Sequence, residues 1–134
     1  KLLESFGIDT ALISTILTII DQVSFKGGIV PEQNLSLEAK IVQDADRLDS
    51  LGAVGIARAC MLGGRFSSRL YNAADPYARN RGLDDKAYTI DHFYTKLLHL
   101  HSSFKTNSGR KIAKQRTAIM KTFIDNLANE SGWD

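Results

Sequence analysis

Leu35–Gly64, LSLEAKIVQDADRLDSLGAVGIARACMLGG, is the stretch of the chain richest in chemical signals. It sets Asp44, Asp46 and Asp49 within an apolar run, where a carboxylate is costly unless it is paired or binds a cation. At 100° per residue, Ile41, Ala45 and Leu48 share one stripe, and Gln43, Arg47 and Ser50 share the opposite side. The spacing predicts a helix that begins after Ser36, a suitable N-cap, and turns Ile41, Ala45 and Leu48 inward. Asp46 and Asp49, three residues apart, fall with Val42 on the flank of that stripe, at the rim of the core. After Ser50 the small residues permit close helix packing, with Gly52 marking a bend and Gly63-Gly64 the end.

On the N-terminal side, Gly7 is expected to end a short helix and Asp9 to cap the next, with Ile8 and Ile13 as a hydrophobic staple. Leu12, Ile16, Ile19 and Val23 recur at helical spacing, which predicts a core helix from Thr10 to about Gln22. Gly27-Gly28 and Pro31 break the pattern. On the C-terminal side, Arg65 to Lys86 has no sustained period, and Arg65, Arg69, Arg79 and Arg81 alternate with Phe66, Tyr71 and Tyr77. This is a candidate lid or anion-binding loop, with an exposed surface excursion as the equal alternative and room for a short helix near Pro76. Thr89 can cap a helix from Ile90 to about Phe104, with Ile90, Phe93, Tyr94, Leu97 and Leu98 inward and His92, Lys96, His99 and Ser103 on the other face. The last helix should run from about Ser108 to Asn129, burying Ile112, Ile119, Phe123 and Leu127 behind a basic stripe of Arg110, Lys114 and Lys121. No run alternates as a strand does, so the expected fold is all-α, a bundle of about five to seven helices without a sheet.

The 134 residues suit one domain, residues 1–134, and a hydrophobic share of 43% with 24% charged is ordinary for a globular protein. No apolar run approaches the roughly 18–20 residues of a membrane span. The single Cys60 lies in an apolar stretch and reads as a buried free thiol in a reducing compartment, which fits a cytoplasmic location. The net charge of +2 is divided unevenly: residues 1–64 sum to −3 and residues 65–134 to +5. Such a division suits a site that holds a metal with one half and an anion with the other, but composition alone favours two solvated faces. There is no P-loop, dinucleotide fingerprint, CxxC pair or nucleophile elbow, and all three histidines lie within His92–His101.

Asp46 in QDADRLD, together with the GAVGIAR and DHFYTKLL blocks, resembles the HD-domain phosphohydrolases, in particular their small stand-alone bacterial branch, over most of Leu35–Trp133. The resemblance implies an HD-like helical bundle and an H…HD…D set that holds one divalent metal ion, with Mn, Mg, Co, Ni, Zn and Fe undistinguished. It makes Asp46 a metal ligand; Asp49 is a candidate supporting catalytic carboxylate that orients a ligand or a water, while a salt bridge or a helix-rim carboxylate is the equal alternative for Asp49 and Asp44. No histidine precedes His92 and no His-Asp dipeptide occurs, so the other ligands are expected upstream of Lys1, in a chain truncated on its N-terminal side. Gln22, in DQVSF, stands where relatives commonly have a histidine.

The implied activity is metal-dependent hydrolysis of nucleotides or other small phosphorylated metabolites. Lys96 and His92, then Arg47 and Arg58, are the expected substrate-binding residues, with the arginines of the 65–81 loop as further candidates. The alternative is a non-catalytic helical nucleotide-binding or regulatory module, for which Gln22 speaks. Nucleic-acid binding rests on the basic last helix alone and is not expected; no membrane partner is expected, and a homodimer is left open.

Overall fold

The structure, a computed structural model, describes residues 2–23 and 35–133. Among these residues the regular elements are six α-helices and one 3-10 segment, and no strand occurs beyond an isolated parallel bridge between Arg69 and Tyr88. The fold is all-α, as the periodicity predicts. No helix is long and apolar enough to cross a membrane among the described residues.

Helix α1 (Leu2–Ser5) stops at Gly7, whose φ of 73° only glycine adopts at low cost. Helix α2 (Thr10–Val23) has the predicted length but not the predicted burial. None of its residues is buried: Leu12 is exposed, and Ile16, Ile19 and Val23 are only half-covered. The reason is topological, because α2 packs chiefly against the following helix, with α1 at its start. The expected turn at Gly27-Gly28 and Pro31 lies outside the described residues.

Helix α3 (Leu37–Leu48) begins where expected, with the Ser36 hydroxyl accepting a hydrogen bond from the Ala39 amide at 3.1 Å. Its orientation corrects the sequence reading. Ala39 and Asp44 are buried, Gln43, Arg47 and Leu48 are half-buried, and Ile41, Val42 and Ala45 are exposed. The polar side of the helix turns inward because the Asp44 carboxylate meets donors there, described below, that offset its desolvation.

The chain breaks at Asp49–Leu51 before helix α4 (Gly52–Arg65). Gly52 has φ 70°, a left-handed conformation that favours glycine at this bend, and a Cβ there would sit tightly, 3.1 Å from Cγ of Arg116. Arg116 also donates to the Leu48 carbonyl at 2.6 Å, satisfying an acceptor that the helix end leaves open. Gly63-Gly64 does not end α4. Gly63 instead brings the helix directly against Thr89, leaving no room for a side chain.

Thr89 is the first residue of helix α5 (Thr89–Thr95), not its cap, and the predicted helix is shorter than its periodicity suggests. At Lys96, with φ −137° and ψ −59°, the backbone leaves the α geometry and continues as a 3-10 segment, Leu97–Ser103. Helix α6 (Asn107–Ser131) is capped by the Thr106 hydroxyl, which accepts from the Gly109 amide at 2.9 Å, and ends at left-handed Gly132. Its buried line is Ala113, Thr117, Met120, Ile124 and Ala128, rotated from the expected one; Ile112 and Ile119 are exposed, and Phe123 and Leu127 are half-buried. Arg110, Lys114 and Lys121 are exposed as expected.

The core joins the α3–α4 bend, α5, the 3-10 segment and α6 through Leu51, Ile90, Phe93, Leu97, Phe104, Ala113, Met120 and Ile124. Residues 66–88 form no helix, including near Pro76, yet they are held firmly. The Arg69 amide donates to the Ala87 carbonyl and the Thr89 amide to the Arg69 carbonyl, each at 2.9 Å, closing the loop's ends. Tyr71 and Tyr77 pack edge-on against Trp133, with ring centroids 4.8 and 5.3 Å away.

Candidate functional site

The close approach of Gly63 to Thr89 brings α4 near α5, and beside it lies an open cleft of about 340 Å³. Three of the predicted substrate-binding residues meet there: Arg58 from α4, His92 from α5, and Lys96 at the break after α5. The i, i+4 spacing of His92 and Lys96 places both on one face, as the periodicity predicts. Ser50, Ser68 and Thr89 add hydroxyls, while Leu62, Phe66 and Leu97 supply apolar wall. The charged lining is completed by Asp85, so two permanent cations and a titratable imidazole face one carboxylate. That balance favours an anionic ligand.

Asp85 was not legible as a site residue in the sequence. Its carboxylate lies 3.2 Å from His92 Nδ1 and accepts a hydrogen bond from the Thr95 hydroxyl at 3.3 Å. The bond with His92 is the main influence that holds the Asp85 carboxyl below its ordinary range, against the opposing effect of burial and with help from the Thr95 hydroxyl. The adjacent Asp84 does different work: its carboxylate accepts from the amides of Lys86 and Ala87 and shapes the turn.

The loop arginines are not brought to the cleft lining. Arg81 makes a bidentate pair with fully buried Asp91, including a bond of 2.9 Å from Nη2 to Oδ1, and the Asp84 amide donates to the same carboxylate at 2.7 Å. Arg79 lies over the Tyr77 ring. These arginines secure the loop, correcting the expectation that they form the anion site. Arg47 likewise lies apart from the cleft lining and donates to the Ser103 carbonyl at 2.6 Å, tying α3 to the 3-10 segment.

The three aspartates of α3 and its end separate completely. Asp44 is 3% exposed and accepts from the Lys105 amide at 2.8 Å and from both the amide and hydroxyl of Thr106, at 2.8 and 2.7 Å. Burial pushes its carboxyl up, but these hydrogen bonds and the Arg47 charge together outweigh it and hold the group below its ordinary range. Asp44 is therefore a structural anchor for the entry to α6. Asp49 is exposed and pairs with Arg58 at 3.5 Å, so it touches a cleft residue rather than the cleft itself. Asp46 is exposed on the last turn of α3. Among the described residues no group of three or more His, Cys, Asp or Glu side chains is arranged to hold a metal ion, so these residues do not complete an HD-type metal centre around Asp46.

Gln22 is half-buried near the end of α2, and its Oε1 has no hydrogen-bond partner among the described residues. Cys60 is a free, half-buried thiol on α4 whose pKa is raised by burial, which disfavours the nucleophilic thiolate.

No family model matches the chain. It is 37% identical over 126 residues to the uncharacterized protein YpgQ of Bacillus subtilis, an alignment covering 93% of this chain and 56% of YpgQ. The crystal structure of YpgQ in complex with ADP superposes with a TM-score of 0.77 at 36% identity, covering 96% of this chain and 57% of that one. The chain thus spans somewhat more than half the length of these relatives. The crystal structure of an HD-superfamily hydrolase from Bacillus thuringiensis gives a TM-score of 0.75 at 33% identity, over 99% of this chain and 60% of that one. The helical bundle described above is therefore similar, in sequence and in fold, to an HD-superfamily hydrolase and to a protein crystallised with a nucleotide.

Proposed function

We propose that the protein is a metal-dependent phosphohydrolase of the HD type, acting on nucleotides or other small phosphorylated metabolites in the cytoplasm. The observation that carries this reading is the convergence of Arg58, His92 and Lys96 on one cleft. Lys96 and Arg58 bind the phosphoryl oxygens as point charge and planar fork, and His92 adds a directional hydrogen bond. Asp49 pairs with Arg58 at the edge of the cleft. The ADP bound by YpgQ and the hydrolase from Bacillus thuringiensis support the ligand class and the reaction class.

A divalent cation supplies Lewis-acid activation of water and of a phosphoryl oxygen in this class of reaction. Asp46 is the described residue that would hold it. The chain's own cleft residues bind and orient the phosphoryl group and offset its charge.

The direct test supplies the protein with Mn²⁺, Mg²⁺, Co²⁺ or Ni²⁺ and a nucleotide panel, and measures phosphate and pyrophosphate release. Metal-dependent release that Asp46→Ala abolishes is the expected result; no release from any nucleotide, or an unchanged rate in Asp46→Ala, rejects the hydrolase. Gln22 favours a second reading, a nucleotide-binding module without turnover. Tight ADP binding that needs no metal and yields no product selects it.

A further inference from the structure

We propose that Asp85 is a positioning residue for His92: it accepts the Nδ1 proton of the imidazole, fixes the ring and its tautomer, and leaves Nε2 to meet a phosphoryl group held beside Lys96 and Arg58. The inference rests on the reading of the cleft as a phosphate site, and it assigns a role to a third residue of the loop that already lends Phe66 and Ser68 to the cleft wall. A carboxylate can only accept, so the 3.2 Å approach requires that Nδ1 carry the proton. In a neutral imidazole with its proton on Nδ1, Nε2 is a bare acceptor; when the ring is protonated, Nε2 donates to a phosphoryl oxygen while Nδ1–H stays with Asp85.

The position of Asp85 is built from several independent interactions. The Arg81–Asp91 pair and the Asp84 amide fasten the turn to α5 from the buried side. The Asp84 carboxylate shapes the turn, and the Thr95 hydroxyl, one helical turn from Asp91, takes a share of the Asp85 carboxylate. Buried Asp91 and half-buried His92 are neighbours in sequence on α5, so one helix both anchors the loop and receives what the loop delivers. The charged groups facing the cleft are Arg58 from α4, Lys96 from the break after α5, and Asp85 and His92 themselves. His92 is the one among them whose hydrogen-bonding role changes with its proton, and Asp85 decides which nitrogen changes.

The test is nitrogen NMR of the protein labelled with ¹⁵N-histidine, at alkaline pH where imidazoles are neutral, with the His92 signals identified by their disappearance in His92→Gln. The expected wild-type signature is the Nδ1–H tautomer, shifting to mainly Nε2–H in Asp85→Ala, with Asp85→Asn intermediate and all variants folded by circular dichroism. An Nε2–H tautomer in the wild type, or a tautomer that Asp85→Ala leaves unchanged, overturns the proposal whatever the protein binds or hydrolyses. Titration with inorganic phosphate near neutral pH then reads the other atom: Nε2 of His92 should shift, and binding should weaken about tenfold in His92→Gln, the scale of removing one charge-assisted hydrogen bond. An Nδ1–H tautomer with no response of Nε2 to phosphate overturns the phosphate assignment of the cleft, and with it the ligand proposed for Nε2.

Discussion

The two ends of the molecule treat similar apolar patterns in opposite ways. In α5, the 3-10 segment and α6, apolar side chains are covered on several sides, and Phe93, Ile90 and Met120 are completely buried. In α2 a run as hydrophobic as any in the chain buries nothing: Leu12, Leu17 and Ile20 are each more than half exposed. Helical periodicity is present in both. What separates them is the number of elements that reach each face: α6 meets α3, α4 and the 3-10 segment, whereas α2 meets chiefly α3. Amphipathicity is thus a property of a helix, but burial is a property of its neighbours.

The sharpest way to break that contrast is to empty the packed end. Phe93 has no exposed surface and stacks on Phe123 with centroids 6.0 Å apart. Phe93→Ala should cost about 3–5 kcal/mol, as the forfeited transfer energy and a residual cavity add. Urea denaturation followed by circular dichroism measures it, and a loss under about 1 kcal/mol would mean that the core does not reside there.

Asp44 gives the next largest effect. Asp44→Ala removes the acceptor of the Lys105 and Thr106 amides and should destabilise the protein by about 2 kcal/mol, from two half-buried donors at the lower end of about 1–3 kcal/mol each. The pH dependence has a definite sign. The folded-state pKa is depressed, so this stabilisation is complete above the ordinary carboxylate pKa and is lost as pH falls through the folded value. Stability measured against pH should therefore show the wild type and Asp44→Ala converging in acid, below pH ~4. A constant gap between them would assign the effect of Asp44 to packing rather than to its charge.

Asp44 and Asp46 also mark how far sequence reading reaches. Both lie in one short run of the same helix, with similar neighbours and the same side chain, yet one is buried and the other exposed. The difference comes from Lys105 and Thr106, some sixty residues away, and no local pattern contains it. The starts of α3 and α2, the end of α1 and the extent of α6 were legible because caps and left-handed glycines act within a few residues. Which face of α3, and which line along α6, turns inward depended on tertiary partners and was misread. The same division holds at the site. That His92 and Lys96 share one cleft was readable from a spacing of four, whereas Asp85 reaches His92 on a loop that the Arg81–Asp91 pair fastens to α5, and Arg81 reads equally well as an anion ligand until that pair is seen.

The smallest predicted effect tests the open end. Leu17 lies in the middle of α2 and is 59% exposed. Replacing an exposed apolar side chain outside the core should change stability by no more than about 0.5 kcal/mol, so Leu17→Ser should leave the urea midpoint nearly where it was. The matched substitution at the packed end, Leu97→Ser, removes a side chain with 4% exposure and introduces a hydroxyl among Phe93, Phe104 and their neighbours. It should cost several-fold more, because the missing apolar packing is joined by the cost of a buried polar group. Both variants make the same change of side chain, so the volume removed is the same, and the few tenths of a kcal/mol by which helix propensity differs between an α-helix and a 3-10 segment is small beside the effect of covering. If Leu17→Ser cost as much as Leu97→Ser, α2 would have a buried partner in solution, and its apolar face would belong to the core.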